Sequence, residues 1–273
     1  MAKGLKEKNL KHILIFSNGI YVNGSELVRG FHEVAGNKVQ ISGGLAGDGS
    51  NFKNTWVMDG EKPCEKCITA VGLYGDDIIV GCASKGGWDT FGPERTITKA
   101  KGNVLYEIDG EPALALYKKY LGERAQELPA SALLFPLSIW SKDNHEEKVV
   151  RTILSVDEAA QSMTFAGDIL EGWKAQLMRA NLDRFIDGAS KAGKLAQIKI
   201  PGKSDILVLA ISCVGRRLVL GERSEEEVEI TLNNFPKGAK QIGFYSYGEI
   251  SPNGFEKCSL HNQTMTLTSF SEK

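Results

Sequence analysis

The side chains with the chemistry to hold a small molecule fall into a few short stretches of this sequence. The segment SGGLAGDG at residues 42–49 sets Gly43, Gly44, Gly47 and Gly49 around Ala46 and Asp48. Glycines let the backbone take positive φ and bring N–H groups close to a ligand, and Asp48 adds a fixed anionic acceptor. The segment CVGRR at 213–217 places the Cys213 thiol beside the guanidinium groups of Arg216 and Arg217. A guanidinium grips a carboxylate through two parallel hydrogen bonds, so Arg216 or Arg217 is a candidate anchor for an acidic ligand. The competing role is an ion pair with the run Glu225, Glu226 and Glu227. Positive charge nearby lowers a thiol pKa without making Cys213 the nucleophile of an enzyme.

In GFYSYGEI at 243–250 and LHNQT at 260–264, polar and aromatic residues alternate with glycine, so one face of a strand can line a cavity while the other packs inward. Tyr245, Tyr247, Glu249, His261 and Asn262 are the candidates there. Glu249 suits an ammonium or Arg216, and His261 suits a metal, haem iron or a structural hydrogen bond. Trp88, in the glycine-rich stretch KGGWDTFGP at 85–93, either walls a pocket or caps a core. The spacings H-E-x-x-H, G-x-S-x-G and the phosphate-binding P-loop are all missing, which favours binding without turnover. Cys64 and Cys67 form a C-x-x-C, but zinc needs two more ligands and a thioredoxin-type pair needs a helix directly after it. Residues 68–73 alternate like a strand instead.

Composition bounds the rest. Lys+Arg number 33 against 34 Asp+Glu, a formal net charge of -1, which removes the general attraction on which non-specific nucleic-acid binding depends. No run approaches the ~18 apolar residues of a membrane span, and the first residues lack the apolar middle of a signal peptide. The expectation is a soluble cytoplasmic protein with no membrane insertion. Five cysteines in irregular spacing point to reduced thiols rather than a disulfide framework.

The elements that must position these residues follow from periodicity. Strands are expected at 12–16 and 39–42 around a helix at 25–31, which makes a small α/β unit with the glycine loop at a strand end. Strands at 55–58, 68–74, 78–83, 95–99 and 104–108 then read as an antiparallel meander, with residues 74–77 as a hairpin turn. A helix over 112–122 has Pro112 at its start and Gly122 at its end. After a polar linker at 123–129, strands are expected at 133–140, 148–156, 175–178, 206–212, 241–250 and 265–270, with helices at 182–192 and 222–232.

Taken together, SGGLAGDG, GW at 87–88, ITKAKGNVLYEIDGEPALALYKKYLG at 97–122, CVGRR, GFYSYGEI and LHNQTMTLT at 260–268 resemble the FIST domain family in order and spacing. The resemblance implies a cytoplasmic sensory module of the kind found alone or joined to histidine kinases, cyclic-dinucleotide enzymes and chemoreceptors. It also implies a small-molecule signal such as an amino acid. Some relatives look like haem proteins that sense nitric oxide. Relative to the family, the chain is expected to begin near the middle of the amino-terminal half, without the usual upstream α/β segment.

The expected fold is α/β with α+β character, in two lobes of mixed or antiparallel sheet flanked by helices: a FIST N-type domain over 1–129 and a FIST C-type domain over 130–273. The expected function is non-catalytic sensing of an amino acid or other small carboxylate in a pocket between the lobes, relayed to a partner. Glycine-loop N–H groups and Arg216 would hold the carboxylate and Glu249 the amine, with no cofactor. The alternatives are a haem sensor with His261 as ligand and His145 or His32 in reserve, and a partner-binding scaffold without a small ligand.

Overall fold

A computed structural model describes residues 1–36, 38–145, 148–198, 205–252 and 258–273. In chain order the helices are α1 (Ala2–Leu5), α2 (Gly24–Ala35), α3 (Ala113–Leu121), α4 (Leu182–Leu195), α5 (Val214–Leu220) and α6 (Ser224–Leu232). The strands up to the middle of the chain are β1 (Leu10–Ser17), β2 (Gln40–Ala46), β3 (Val57–Asp59), β4 (Lys62–Cys64), β5 (Ile68–Tyr74), β6 (Ile78–Lys85), β7 (Asp89–Lys101), β8 (Val104–Ile108) and β9 (Glu111–Pro112). The remainder are β10 (Leu137–Trp140), β11 (Val149–Arg151), β12 (Ile153–Asp157), β13 (Ser162–Phe165), β14 (Lys174–Arg179), β15 (Leu207–Cys213), β16 (Lys240–Pro252), β17 (Cys258–His261) and β18 (Met265–Glu272).

These elements form two compact units: Met1–Gly87 with Leu182–Lys273, and Trp88–Asn181. The first unit is built on a sheet of order β5-β1-β2-β16-β15-β18-β6, with β17 beside β16. β1 and β2 are parallel around α2, and β15 and β16 are parallel around α5 and α6, so each end of the sequence supplies one βαβ unit. The two βαβ units join where β2 pairs antiparallel with β16. Asn23 starts α2 by accepting from the Ser25 and Glu26 N–H groups. Val28 and Phe31 of α2 then pack on Ile13, Ile15, Ile41, Leu45 and Leu260.

One position out of phase with that core, the strands carry polar residues that are equally buried. His12 Nε2 lies 2.8 Å from Ser42 Oγ, Thr268 donates to Ser42 at 2.8 Å, and Cys82 Sγ lies 3.6 Å from Ser251 Oγ. Thr268 on β18 and Ser42 on β2 are not neighbours in strand order, so the sheet curls to bring them together. The curled face is filled by side chains that hydrogen-bond to one another rather than by hydrocarbon.

The second unit has the order β11-β10-β14-β7-β8-β13-β12, with β9 beside β8. Leu114, Leu116 and Tyr117 of α3 cover it, packing on Ile97, Leu105, Leu137 and Phe165. Pro112 precedes α3 and Gly122, at φ +58°, ends it, as its sequence predicts.

Several expectations are corrected. β5 and β6 lie at opposite edges of the first sheet, so residues 74–77 connect two edges and are not a hairpin turn. Of the expected meander, β7 and β8 are adjacent. The expected division at 129/130 falls inside the unit Trp88–Asn181. Residues 133–134 end a 3-10 turn, and α5, β13 and β17 have no counterpart among the expected elements. Cys64 and Cys67 are joined as a disulfide, because the turn between β4 and β5 brings their Cα atoms to 5.7 Å, while Cys82, Cys213 and Cys258 are free thiols. No helix among the described residues is long and apolar enough to cross a membrane.

Candidate functional site

The glycine stretch is not a loop throughout. Gly43 and Gly44 lie in β2, and Glu249 of β16 pairs opposite Gly44. At Gly43, with φ +146°, a Cβ would lie 1.9 Å from the Ile15 carbonyl oxygen, so close strand packing requires glycine there. Past Ala46 the chain turns through Gly47, Asp48 and Gly49. The Asp48 carboxylate accepts from the N–H groups of Phe52, Lys53 and Asn54 at 2.9, 3.0 and 3.0 Å. The Tyr247 hydroxyl donates to the same carboxylate and lies 2.9 Å from the Gly49 carbonyl oxygen. The Phe52 ring stacks on Tyr247, centroids 4.5 Å apart. The slight burial of Asp48 opposes its charge, but the Tyr247 and backbone hydrogen bonds outweigh it and hold the carboxyl below its ordinary pKa.

Two residues along β16 from Tyr247, Glu249 is fully buried. It accepts from Thr264 N–H at 3.1 Å and Thr264 Oγ at 2.9 Å, with the Ser246 hydroxyl on its other oxygen. Burial raises its pKa to about 8 against the pull of those donors, so the carboxyl is largely protonated near neutral pH. Asn262 is also buried, its side-chain N–H 3.5 Å from the Tyr247 carbonyl oxygen and its Oδ1 without a hydrogen-bond partner among the described residues.

Arg216 does not face this group as a free anchor. It is fully buried, and its Nε donates to Glu227 at 2.7 Å. The remaining donors reach Glu227 again and the carbonyl oxygens of Gly86, Gln263 and Phe185 at 2.8, 3.3 and 3.0 Å. All five guanidinium N–H groups have acceptors within the chain, which leaves none for a ligand carboxylate. Ser212 donates to the second oxygen of Glu227 at 2.8 Å. The pairing with the glutamate run thus takes place in the interior rather than on the surface.

Residues 1–111 match the family model of the FIST N domain and residues 113–252 that of the FIST C domain. The chain belongs to the FIST family. FIST domains are associated with sensing in signal transduction. An uncharacterized protein of Methanocaldococcus jannaschii is 27% identical over 239 residues, a match covering 77% of this chain and 44% of that protein. The chain therefore spans less than half the length of this curated relative.

The remaining expected site residues of this FIST protein are scattered. Cys213 ends β15, is buried, and has its thiol pKa pushed well up by burial and by the neighbouring Glu249, which keeps it protonated and unreactive. Tyr245 packs under the Arg217 guanidinium, 4.8 Å from ring centroid to Cζ. Trp88 is buried and belongs to the other compact unit. His261 Nε2 lies 3.2 Å from both Ser251 O and Ser259 Oγ within the β16–β17 hairpin. Nε2 is thereby turned into the hairpin, so His261 as placed does not fit an axial haem ligand through that nitrogen. His32 Nε2 accepts from Cys258 N–H at 3.0 Å, and His145 packs against Trp140 with ring centroids 5.8 Å apart. Sequence reasoning missed Ser246 and Thr264, the partners of Glu249; their hydroxyls carry no spacing signal.

Proposed function

We propose that this chain is a non-catalytic cytoplasmic sensory module that recognises a small carboxylate, such as an amino acid, where the glycine turn after β2 meets Tyr247. It relays occupancy to a signalling partner of the histidine-kinase or cyclic-dinucleotide-enzyme class. The observation that supports this reading is the seat of the Asp48 carboxylate on three consecutive backbone N–H groups, a cradle shaped for a carboxylate. In this arrangement the protein fills that cradle with its own side chain. A ligand carboxylate that replaces Asp48 frees the Tyr247 hydroxyl and loosens the Phe52 stack, so binding selects a second arrangement of the turn over residues 46–55. Arg216 is assigned to the scaffold, not to the ligand.

Calorimetric titration of amino acids and organic acids into the parent protein and Asp48→Ala tests this. Removing the internal competitor is expected to tighten binding about tenfold, a gain of about 1.4 kcal/mol. Equal affinity in the two proteins would overturn the displacement mechanism. No binding by either would favour the partner-binding scaffold instead.

A further inference from the structure

The Cys64–Cys67 disulfide stands at a joint of the first unit. β4 ends on Cys64, opposite Val57 of β3, and β5 begins at Ile68, opposite Ser17 of β1. The S–S bond therefore clamps the end of a small hairpin to the edge strand of the eight-stranded sheet. β3 and β4 pair over only three residues, and a two-stranded ribbon that short is not stable in water without support. Besides the disulfide, its support is a few hydrogen bonds. The Thr69 hydroxyl donates to the Met58 carbonyl. Asn18, just past β1, donates from Nδ2 to the carbonyls of Thr55 and Glu65 at 2.8 and 3.2 Å, and from its N–H to the Cys67 carbonyl at 3.0 Å. Residues 55–67 thus form a strap with both ends held at Asn18 and its last turn closed by sulfur.

The cysteines differ in their access to a reagent. Burial raises the thiol pKa of Cys82, Cys213 and Cys258, which keeps all three protonated. Cys64 and Cys67 are half-buried, and Pro63 and Lys66 beside them are exposed. Their Cα separation of 5.7 Å lies within the roughly 4.4–6.8 Å that a disulfide spans, so the bond can close on the backbone as it stands. We propose that Cys64 and Cys67 are a reversible thiol–disulfide exchange site for a dithiol reductant, and that the state of the pair sets how firmly residues 55–67 are held. A thiolate of the dithiol attacks one sulfur of the pair, the Cys64–Cys67 bond breaks, and the other sulfur leaves as a thiolate that takes up a proton. The second thiol of the reductant then displaces the first, so the dithiol becomes a disulfide and two electrons and two protons pass to the pair. Because a strand rather than a helix N-terminus follows Cys67, the pair is the substrate of such a reductant and not a dithiol catalyst. This proposal does not rest on the carboxylate reading of the glycine turn.

The test equilibrates the full chain, in its native state, with oxidised or with reduced dithiothreitol, then counts thiols in denaturant and follows amide hydrogen exchange by mass spectrometry. Three thiols are expected after the oxidised reagent and five after the reduced one, reversibly, with alkylation of the native reduced protein confined to Cys64 and Cys67. Exchange over residues 55–66 is expected to be at least tenfold faster in the reduced protein, with β15 and β18 unchanged. The double variant Cys64→Ser with Cys67→Ser should exchange at the fast rate whichever reagent is present. Five thiols after the oxidised reagent, three after the reduced one, or the same exchange over 55–66 in both states would each overturn the proposal. Should the double variant fail to fold, the thiol count and exchange of the parent protein decide alone. The Asp48→Ala titration reads a different site, so either proposal can fail while the other stands.

Discussion

A charged group with no exposure to water survives in a fold only if every polar atom on it is matched. Arg216 meets that demand through Glu227 and the backbone carbonyls of Gly86, Phe185 and Gln263, so its charge organises the joint between α5, α6, α4 and the segments after β6 and β17. Glu249 solves the same problem differently, by holding its proton. Its pKa of about 8 in the fold exceeds the ordinary value of 4.5 because burial disfavours the carboxylate. Between those values the folded chain binds more protons at this residue than the unfolded one, so its contribution to stability declines as pH rises from 4.5 to about 8 and is level beyond. Glu249→Gln keeps the shape and a donor while removing the titration. Urea unfolding at pH 5 and pH 9 is therefore expected to show the variant gaining on the parent by a few kcal/mol, since each tenfold difference in proton affinity between fold and unfolded chain corresponds to about 1.4 kcal/mol. A constant difference between the two pH values would mean that Glu249 ionises normally in the fold.

Among the elements, periodicity marks those that face one apolar core and under-determines those that do not. β5, β8 and α3 match their sequence signals within a residue, since alternation or a Pro and Gly at the ends identifies them. β2 is harder to read: Ser42, Gly43, Gly44 and Ala46 look like loop residues, yet they continue a buried central strand. The four glycines of that stretch also read alike in sequence but do unlike work. Gly43 is held by the Ile15 backbone, whereas Gly49 sits at φ +73° with no atom within 4 Å of an added Cβ. Gly49→Ala is thus expected to cost only the left-handed backbone penalty of about 1–2 kcal/mol. Gly43→Ala adds a collision with main chain that no rotamer relieves and should cost about 3 kcal/mol or more. Denaturant midpoints of the two variants check this, and equal losses would contradict the packing argument. The convergence of Asp48 with Tyr247 is legible in the sequence as a shared site, but the capture of the loop N–H groups by Asp48 itself depends on turn geometry that residue types do not specify.

Across the whole molecule, two family-model segments meeting near residue 112 do not coincide with the two compact units, because the fold is assembled across the sequence. The sheet holding the glycine stretch takes β1, β2, β5 and β6 from the amino-terminal part and β15 to β18 from the carboxyl-terminal part, paired at β2–β16 and β6–β18. Such long-range pairing leaves no mark on local pattern, which is why the sequence suggests a linear division near 129. It has a direct consequence. Asp89 at the start of β7 pairs with Arg179 at the end of β14, so the chain enters and leaves the unit Trp88–Asn181 on adjacent strands. On the other side of the junction, an added Cβ on Gly87 would lie 2.2 Å from the Arg184 carbonyl oxygen, so those ends also lie together. A unit with its own core and neighbouring ends can be excised. Residues 88–181 alone, and residues 1–87 joined to 182–273 by a short Gly-Ser linker, are each expected to give cooperative thermal unfolding and dispersed amide spectra. Residues 1–129 and 130–273 expressed separately should not, since that cut parts β2 from β16 and β7 from β14. Folding of those two halves in isolation, or failure of both excised forms, would show that the cores are shared differently from the way these strand pairings require.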